Sequence, residues 1–401
     1  MTVIDRDASR ADVAYGLWDA DQHYYEPVDA LTRYLDPAFR SSIKWIEMDG
    51  HRRLMVNQKL VLNIPNPTFD PVAVPGSLEP YFRLANHEGK ALRDIIAVQP
   101  IQSEYRDRAT RIARLDAQGV EFAWLLPTLG LGLEELLCDD PAALHAVITA
   151  FNRWLEDDWG FDRDGRIQAA PMMSLADPIE AENETRRLLD LGARVFTFRP
   201  APTQAGRQFR SIADKRHDRV FAMIAEAGAV VALHTADSGY SIHTERWGGA
   251  TRFDGFKTST LGEVMGIQTD RPVHDTLAAM VCDGLFDRQP KLRVACLELG
   301  SGWMTNLVRR FRISYGKTPQ LYRRDPVEQM REHVWVAPFY EDDIDSLRDH
   351  IGADRILLGS DWPHPEGLGF PRQWIGDFTT LSADEQRLVL RDNLRALVGR
   401  G

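Results

Sequence analysis

The stretch Trp18-Asp19-Ala20-Asp21-Gln22-His23 holds the first residues whose types could do chemistry. In a strand, side chains two apart share a face, so Asp19, Asp21 and His23 are expected to point together. Two carboxylates and an imidazole make a costly core and a reasonable wall of a metal site. Further along, short apolar runs end in other polar groups: His234 after 230–233, Glu298 after 292–297 and Asp361 after 356–359. Singly, each has an ordinary explanation in strand-end hydrogen bonding, a core histidine, an ion pair between Glu298 and Arg199, or a turn cap at Asp361. Jointly, Asp21, His23, His234, Glu298 and Asp361 occupy matching positions in a repeating unit. Buried without partners, they would be costly. A divalent cation is the simplest neutraliser. Nitrogen and oxygen donors suit Zn²⁺ first, and a carboxylate-rich set also admits Mn²⁺ or Fe²⁺.

The elements that must position these groups repeat from about residue 105 onward as helix, glycine, short apolar strand and polar loop. Helices are expected at 106–118, 141–154, 178–191, 218–227, 274–285, 302–312, 342–350 and 383–398. Strands are expected at 122–126, 167–172, 195–198, 230–233, 292–297, 334–336 and 356–359. With the first strand this makes eight, each near-continuously apolar, as strands buried on both faces must be. The pattern predicts an α/β fold of the (β/α)8 TIM-barrel type, whose active site lies at the C-terminal ends of the strands. A helical pattern at 28–34 follows the first strand. Residues 43–56 alternate about Asp49-Gly50, a hairpin signal. Residues 38–105 therefore read as an insertion of lid type within one domain, 15–401, preceded by a polar arm, 1–14.

The 401 residues carry a formal net charge of −11. No basic stripe serves a nucleic acid, and no apolar run reaches the roughly 20 residues of a membrane span. Cys138, Cys282 and Cys296 fit neither a disulfide framework nor a thiolate metal motif, so a reducing cytoplasm is expected. His51, His87, His145, His217, His333 and His350 read as solvated or capping, and His274 as packing or capping; His243 lies in the long connection 235–273.

Several motifs resemble the amidohydrolase superfamily, in the amidohydrolase-related branch typified by aminocarboxymuconate-semialdehyde decarboxylase. They are Asp19-Ala20-Asp21-Gln22-His23, Ala232-Leu233-His234, Arg293 to Glu298, and Leu358-Gly359-Ser360-Asp361-Trp362-Pro363-His364. The resemblance implies a distorted barrel with one metal ion on Asp21, His23, His234 and Asp361, and it suggests a homodimer. The sequence departs from the family in placing Asp21 where a histidine is usual and Glu298 where the sixth strand often ends in a catalytic histidine. Arg199 stands near the position of the bridging lysine of binuclear relatives, so a single metal is expected.

The chemistry expected is non-oxidative decarboxylation of a small aromatic or unsaturated carboxylic acid. The alternative is hydrolysis of an amide, ester or lactone by water activated on the metal. A catalytically silent barrel used as a binding protein is the reading from another class. Asp361 and Glu298 are the expected acid/base pair. Arg199 is expected to clamp a substrate carboxylate, Trp303 and Trp362 to wall the pocket, and His364 to contact substrate or support the site.

Overall fold

The computed structural model describes residues 13–86, 88–249 and 260–400. His87, nearly all of the expected arm and the middle of the 235–273 connection lie outside them. Two all-parallel sheets carry the fold. One runs Leu17–His23, Val120–Leu126, Ile167–Ala169 in spatial order, and the other Val195–Phe198, Val230–His234, Arg293–Leu297, Val334–Val336. A bridge between Met172 and Thr197 joins them on one side. On the other side, residues 356–362 form no regular ladder. They lie between two strands through isolated bridges, Val336 with Ile356 and Gln22 with Trp362. The N–H groups of Leu357 and Asp361 donate to Val336 and Asp21, and those of Ala20 and His23 donate to Leu358 and Trp362. The expected strand is irregular here because Asp361 adopts φ 56 and Pro363 has no N–H to give.

Burial on both faces follows from the period of two. Trp18, Ala20, Phe122, Trp124, Val230, Ala232, Ala295, Leu297, Trp335 and Leu357 form one buried cluster. Their alternates, among them Leu17, Ala123, Leu125, Val231, Leu233, Val294 and Cys296, pack in another with helix residues such as Leu115, Phe151, Phe221, Leu277 and Leu307. The helices start where the sequence caps them. Asp140, Asp177 and Asp325 each accept backbone N–H bonds at an N-cap, with a proline at the following position. The helix Arg108–Gln118 stops at Gly119, whose φ of 68 a side chain would resist.

The hairpin pairs Ile43–Met48 with His51–Val56, and Asp49 and Gly50 both take positive φ, as a tight hairpin turn demands. Other expectations need correction. Residues 28–34 are turns rather than a helix; Ala30 N–H to Pro27 and Thr32 N–H to Asp29 span three residues, and a single helix-type bond, Arg33 N–H to Asp29, is not continued. The helix expected at 274–285 is Asp270–Cys282. His145, His217 and His333 are buried, bonded to the Asp177 N–H and to the carbonyls of Ile212 and Leu292.

The closing helix is not continuous. A π-helical turn, Leu388–Asp392, separates Ala383–Arg387 from Asn393–Leu397. The carbonyl of Val389 in that turn accepts from Leu358 N–H at 3.1 Å. Asn393 Nδ2 donates to Ala353 and Ile356, each at 2.7 Å. A widened turn re-aims backbone groups that a regular helix would keep to itself.

Candidate metal centre

Four strand ends converge. His23 Nε2 lies 3.3 Å from Asp21 Oδ1, 3.4 Å from Glu298 Oε2 and 3.3 Å from Asp361 Oδ1. His234 Nε2 lies 3.5 Å from Asp21 Oδ1 and 3.2 Å from Glu298 Oε2. All five atoms are buried, and none has a hydrogen-bond partner. Donor atoms held about 2.0–2.2 Å from one cation stand roughly 3.0–3.5 Å from each other. The spacing of Asp21, His23, His234 and Glu298 fits a shared ion, and Asp361 falls with His23, Glu298 and His364 in a second, overlapping group. The far ring nitrogens agree. Nδ1 of His23 faces the Pro127 carbonyl at 3.0 Å and Nδ1 of His234 the Thr235 carbonyl at 2.9 Å. Each Nδ1 therefore takes the proton, leaving the Nε2 lone pair directed into the cluster.

Backbone irregularities aim these groups. The pairing of Leu17–His23 with Val120–Leu126 shifts between Asp19 and Gln22, a bulge that breaks the simple alternation. Asp19 therefore does not join Asp21 and His23. Its carboxylate accepts from Gln22 Nε2 at 2.9 Å, from Ser360 Oγ at 2.5 Å and from Ser360 N–H at 3.0 Å. Glu298 and Asp361 have φ of 50 and 56, the left-handed region that non-glycine residues avoid. Each costs on the order of 1–3 kcal/mol and turns a carboxylate that strict alternation would direct elsewhere.

The electrostatics are those of acids and imidazoles waiting for a cation. Burial opposes charge on Asp21 and Glu298, yet close contact with His23 and His234 outweighs it and holds both carboxyls below their usual range. Burial also opposes charge on the imidazoles, but contact with Asp21 and Glu298 raises His23 and pushes His234 to about 10. Asp361 goes the other way: burial, then the charge on Glu298, lifts it well above the carboxylate range.

A buried polar frame supports the cluster. Glu26, fully buried, accepts from the backbone N–H groups of Thr128, Leu129 and Gly130. Thr128 Oγ1 donates to Tyr24 O at 2.8 Å and lies 3.0 Å from His364 Nε2. His364 stacks on His23 with ring centroids 3.9 Å apart, and its Nδ1 lies 2.6 Å from Asp361 Oδ1. Arg111 donates to His23 O at 2.6 Å and to Gln22 Oε1 at 3.4 Å, its guanidinium over Trp362 at 4.6 Å. Thr128 occupies the strand-end position that revealed the other groups, but a hydroxyl is not ionisable and drew no notice. Glu26 and Arg111 carry no such positional signal.

Of the other expected residues, His364 reaches the site, whereas three face elsewhere. Arg199 is held by Glu134 and Glu135 at 3.3 and 2.7 Å and donates to Asp237 O, so two carboxylates already take up its charge. Trp303 is buried in the core and donates to Gly300 O. Trp362 is buried beneath Arg111 and beside Tyr105. None of these three is among the described residues lining the cavity of about 700 Å³ that opens over Asp21, Glu298, Asp361 and His364. Phe69, Phe82, Gln268, Phe339 and Tyr340 are among its walls, which draw on the segments 63–98 and 262–270 as well as on strand ends.

A family model described as amidohydrolase matches residues 103–400. The chain belongs to the amidohydrolase family. A solved amidohydrolase from Mycobacterium avium subsp. paratuberculosis is 41% identical, covering 97% of this chain and 100% of that one with a TM-score of 0.92. A γ-resorcylate decarboxylase of Rhizobium radiobacter is 29% identical over 143 residues, 34% of this chain. That match spans 42% of the relative, and 40% of a Polaromonas enzyme of the same name, so this amidohydrolase spans under half the length of the curated relatives it matches. A solved dihydroxybenzoic acid decarboxylase from Polaromonas, with bound manganese and the inhibitor 2-nitroresorcinol, shares the fold at 16% identity. It covers 96% of this chain and 97% of that one, with a TM-score of 0.59. The amidohydrolase is an enzyme of this superfamily, and no helix among its described residues is long and apolar enough to cross a membrane.

Proposed function

We propose that this amidohydrolase is a metal-dependent decarboxylase of a small aromatic carboxylic acid. One divalent ion is held by Asp21, His23, His234 and Asp361, with Glu298 beside it. The observation that carries the reading is the buried group Asp21 Oδ1, His23 Nε2, His234 Nε2 and Glu298 Oε2, without hydrogen-bond partners and spaced as ligands of one ion are spaced, with Asp361 in a second group that shares His23 and Glu298. Zn²⁺, Mn²⁺ and Fe²⁺ all suit the donors, and the manganese in a solved relative supports the second. The bridges at residues 171–173 and 356–362 support a closed eight-stranded barrel, with 38–105 inserted after its first strand. The resemblance adds a homodimer to the proposal, which light scattering tests.

Bound there, the ion would supply Lewis acidity toward the substrate carboxylate and a neighbouring oxygen. The chain's own groups do the rest. Asp361, in its protonated form, donates its proton to the ring carbon that bears the carboxylate. The C–C bond then breaks, CO₂ leaves, and the bonding pair restores the aromatic ring. His364 Nδ1, 2.6 Å from Asp361 Oδ1, orients that acid, with Thr128 Oγ1 fixing the imidazole from the other side, and a proton from solvent restores Asp361 once the product has left. The aromatic cavity walls exclude water from the protonated carbon.

A second reading, hydrolysis of an amide, ester or lactone, draws on Glu298. Its carboxylate lies where it could orient a water molecule, in a backbone conformation that is costly to keep without a use.

The experiment is metal analysis with turnover. Purified enzyme is expected to hold about one metal per chain, lost in His23→Ala and His234→Ala, and to release CO₂ from 2,6-dihydroxybenzoate or a close relative of it. Undiminished turnover in Asp361→Asn, or after complete chelation, overturns the proposal; hydrolysis of aryl esters without any CO₂ release moves it to the second reading.

A further inference from the structure

Glu366 is a polar group of the cavity that the chemistry above does not use. It lies two residues beyond His364 and lines the cavity, and its Oε2 is buried with no hydrogen-bond partner. It is not one of the clustered donor atoms that could share the metal ion. Its backbone is fixed: Tyr340 Oη donates to the Glu366 carbonyl at 2.8 Å, and Arg83 stacks on the Tyr340 ring at 4.5 Å. Tyr25, Phe339 and Tyr340 are aromatic walls of the same cavity. A buried carboxylate oxygen without a donor is expensive, and a rigid support keeps it from turning out to solvent.

We infer that Glu366 is a substrate-binding residue whose carboxyl oxygen accepts a hydrogen bond from a hydroxyl on the substrate ring, away from the carboxylate held at the metal centre. Burial, then the charge on Glu298, pushes its carboxyl to about 7, and a bound donor relieves the same penalty. The substrate class narrows to hydroxylated aromatic acids with a donor remote from the carboxylate. This rests on the aromatic-acid reading above.

The test measures dissociation constants of benzoate, 3-hydroxybenzoate and 4-hydroxybenzoate by calorimetry on the metal-loaded enzyme. The better hydroxybenzoate is expected to bind wild type roughly tenfold or more tighter than benzoate, the range for a hydrogen bond to a charged group. In Glu366→Ala that ratio should collapse to about one. Glu366→Gln keeps the shape and a weaker acceptor, and should retain a ratio of roughly threefold even if the alanine variant folds poorly. A ratio near one in wild type, or a tenfold ratio surviving in Glu366→Ala or undiminished in Glu366→Gln, overturns the assignment and leaves the aromatic-acid reading standing. A second metal equivalent lost only in the Glu366 variants also overturns it. If benzoate and both hydroxybenzoates fail to bind, the aromatic-acid reading falls and takes the Glu366 role with it.

Discussion

At the scale of single residues, the amidohydrolase puts two carboxylates into backbone conformations they would not choose. Glu298 and Asp361 reach the cluster through left-handed φ, and burial, then the charge on Glu298, raises Asp361 well above the carboxylate range. Asp361→Asn preserves size and hydrogen-bonding shape but removes the transferable proton. It is expected to lower kcat by about 10²–10⁴ with little effect on folding, read by steady-state turnover beside a thermal melt. Thr128→Val tests the support behind His364. It removes the hydroxyl between Tyr24 O and His364 Nε2, and is expected to cost about 10-fold or more in kcat with metal content close to wild type. Full activity in that variant would show that the stack on His23 and the contact with Asp361 suffice to orient the ring. Among the clustered groups, His234, Glu298 and Asp361 were legible in the sequence because each closes an apolar run, and Asp21 and His23 because they alternate along the first strand. Arg199 was legible as an arginine at a strand end, but not its partners Glu134 and Glu135, which come from another segment and meet it only in the fold. Trp303 and Trp362 illustrate the same limit, since the sequence gives no sign of which way a strand-end indole turns.

Elements set what the residues can do. The turn after Val120–Leu126 is organised by Glu26, which gathers three consecutive backbone donors, and through Thr128 that turn touches both His23 and His364. Glu26→Ala leaves those N–H groups without a buried acceptor. It is expected to destabilise by about 2–4 kcal/mol, measured by urea denaturation, and to lower activity as well. Asp177→Ala provides the contrast. Its carboxylate caps Pro178–Asp190 through Ile179 N–H and Glu180 N–H, so it should cost about 1 kcal/mol and leave turnover per folded molecule unchanged. The helix–strand repeat was legible because its two periods differ and glycines punctuate it. The bulge at Asp19–Gln22 was not, because a one-residue slip leaves the composition unaltered while sending Asp19 to Ser360 instead of the cluster. The π turn was hidden for a related reason, since residues 383–398 read as an unbroken helical pattern and the widening serves a partner, Leu358, more than twenty residues earlier.

For the whole molecule, the acids and imidazoles at the strand ends are held together against their mutual repulsion and desolvation. A bound ion is therefore expected to be a large contributor to stability as well as to chemistry. At free metal about a thousand times its dissociation constant, linkage is worth about 4 kcal/mol. Exhaustive chelation should lower Tm by several degrees and readdition of Mn²⁺ or Zn²⁺ should restore it, followed by calorimetry. An unmoved Tm would argue against an ion shared among these strands.

The carboxyl-terminal segment has a role that its distance from the cavity conceals. Through the Val389 carbonyl and the Asn393 amide it holds Leu358 and Ile356, in a segment that joins the parallel framework without a regular ladder and leads to Asp361. Trimming 383–400, or wedging a bulky fusion against it, should therefore silence the enzyme while most of the parallel framework still melts cooperatively, as though a door had lost its latch and kept its hinges.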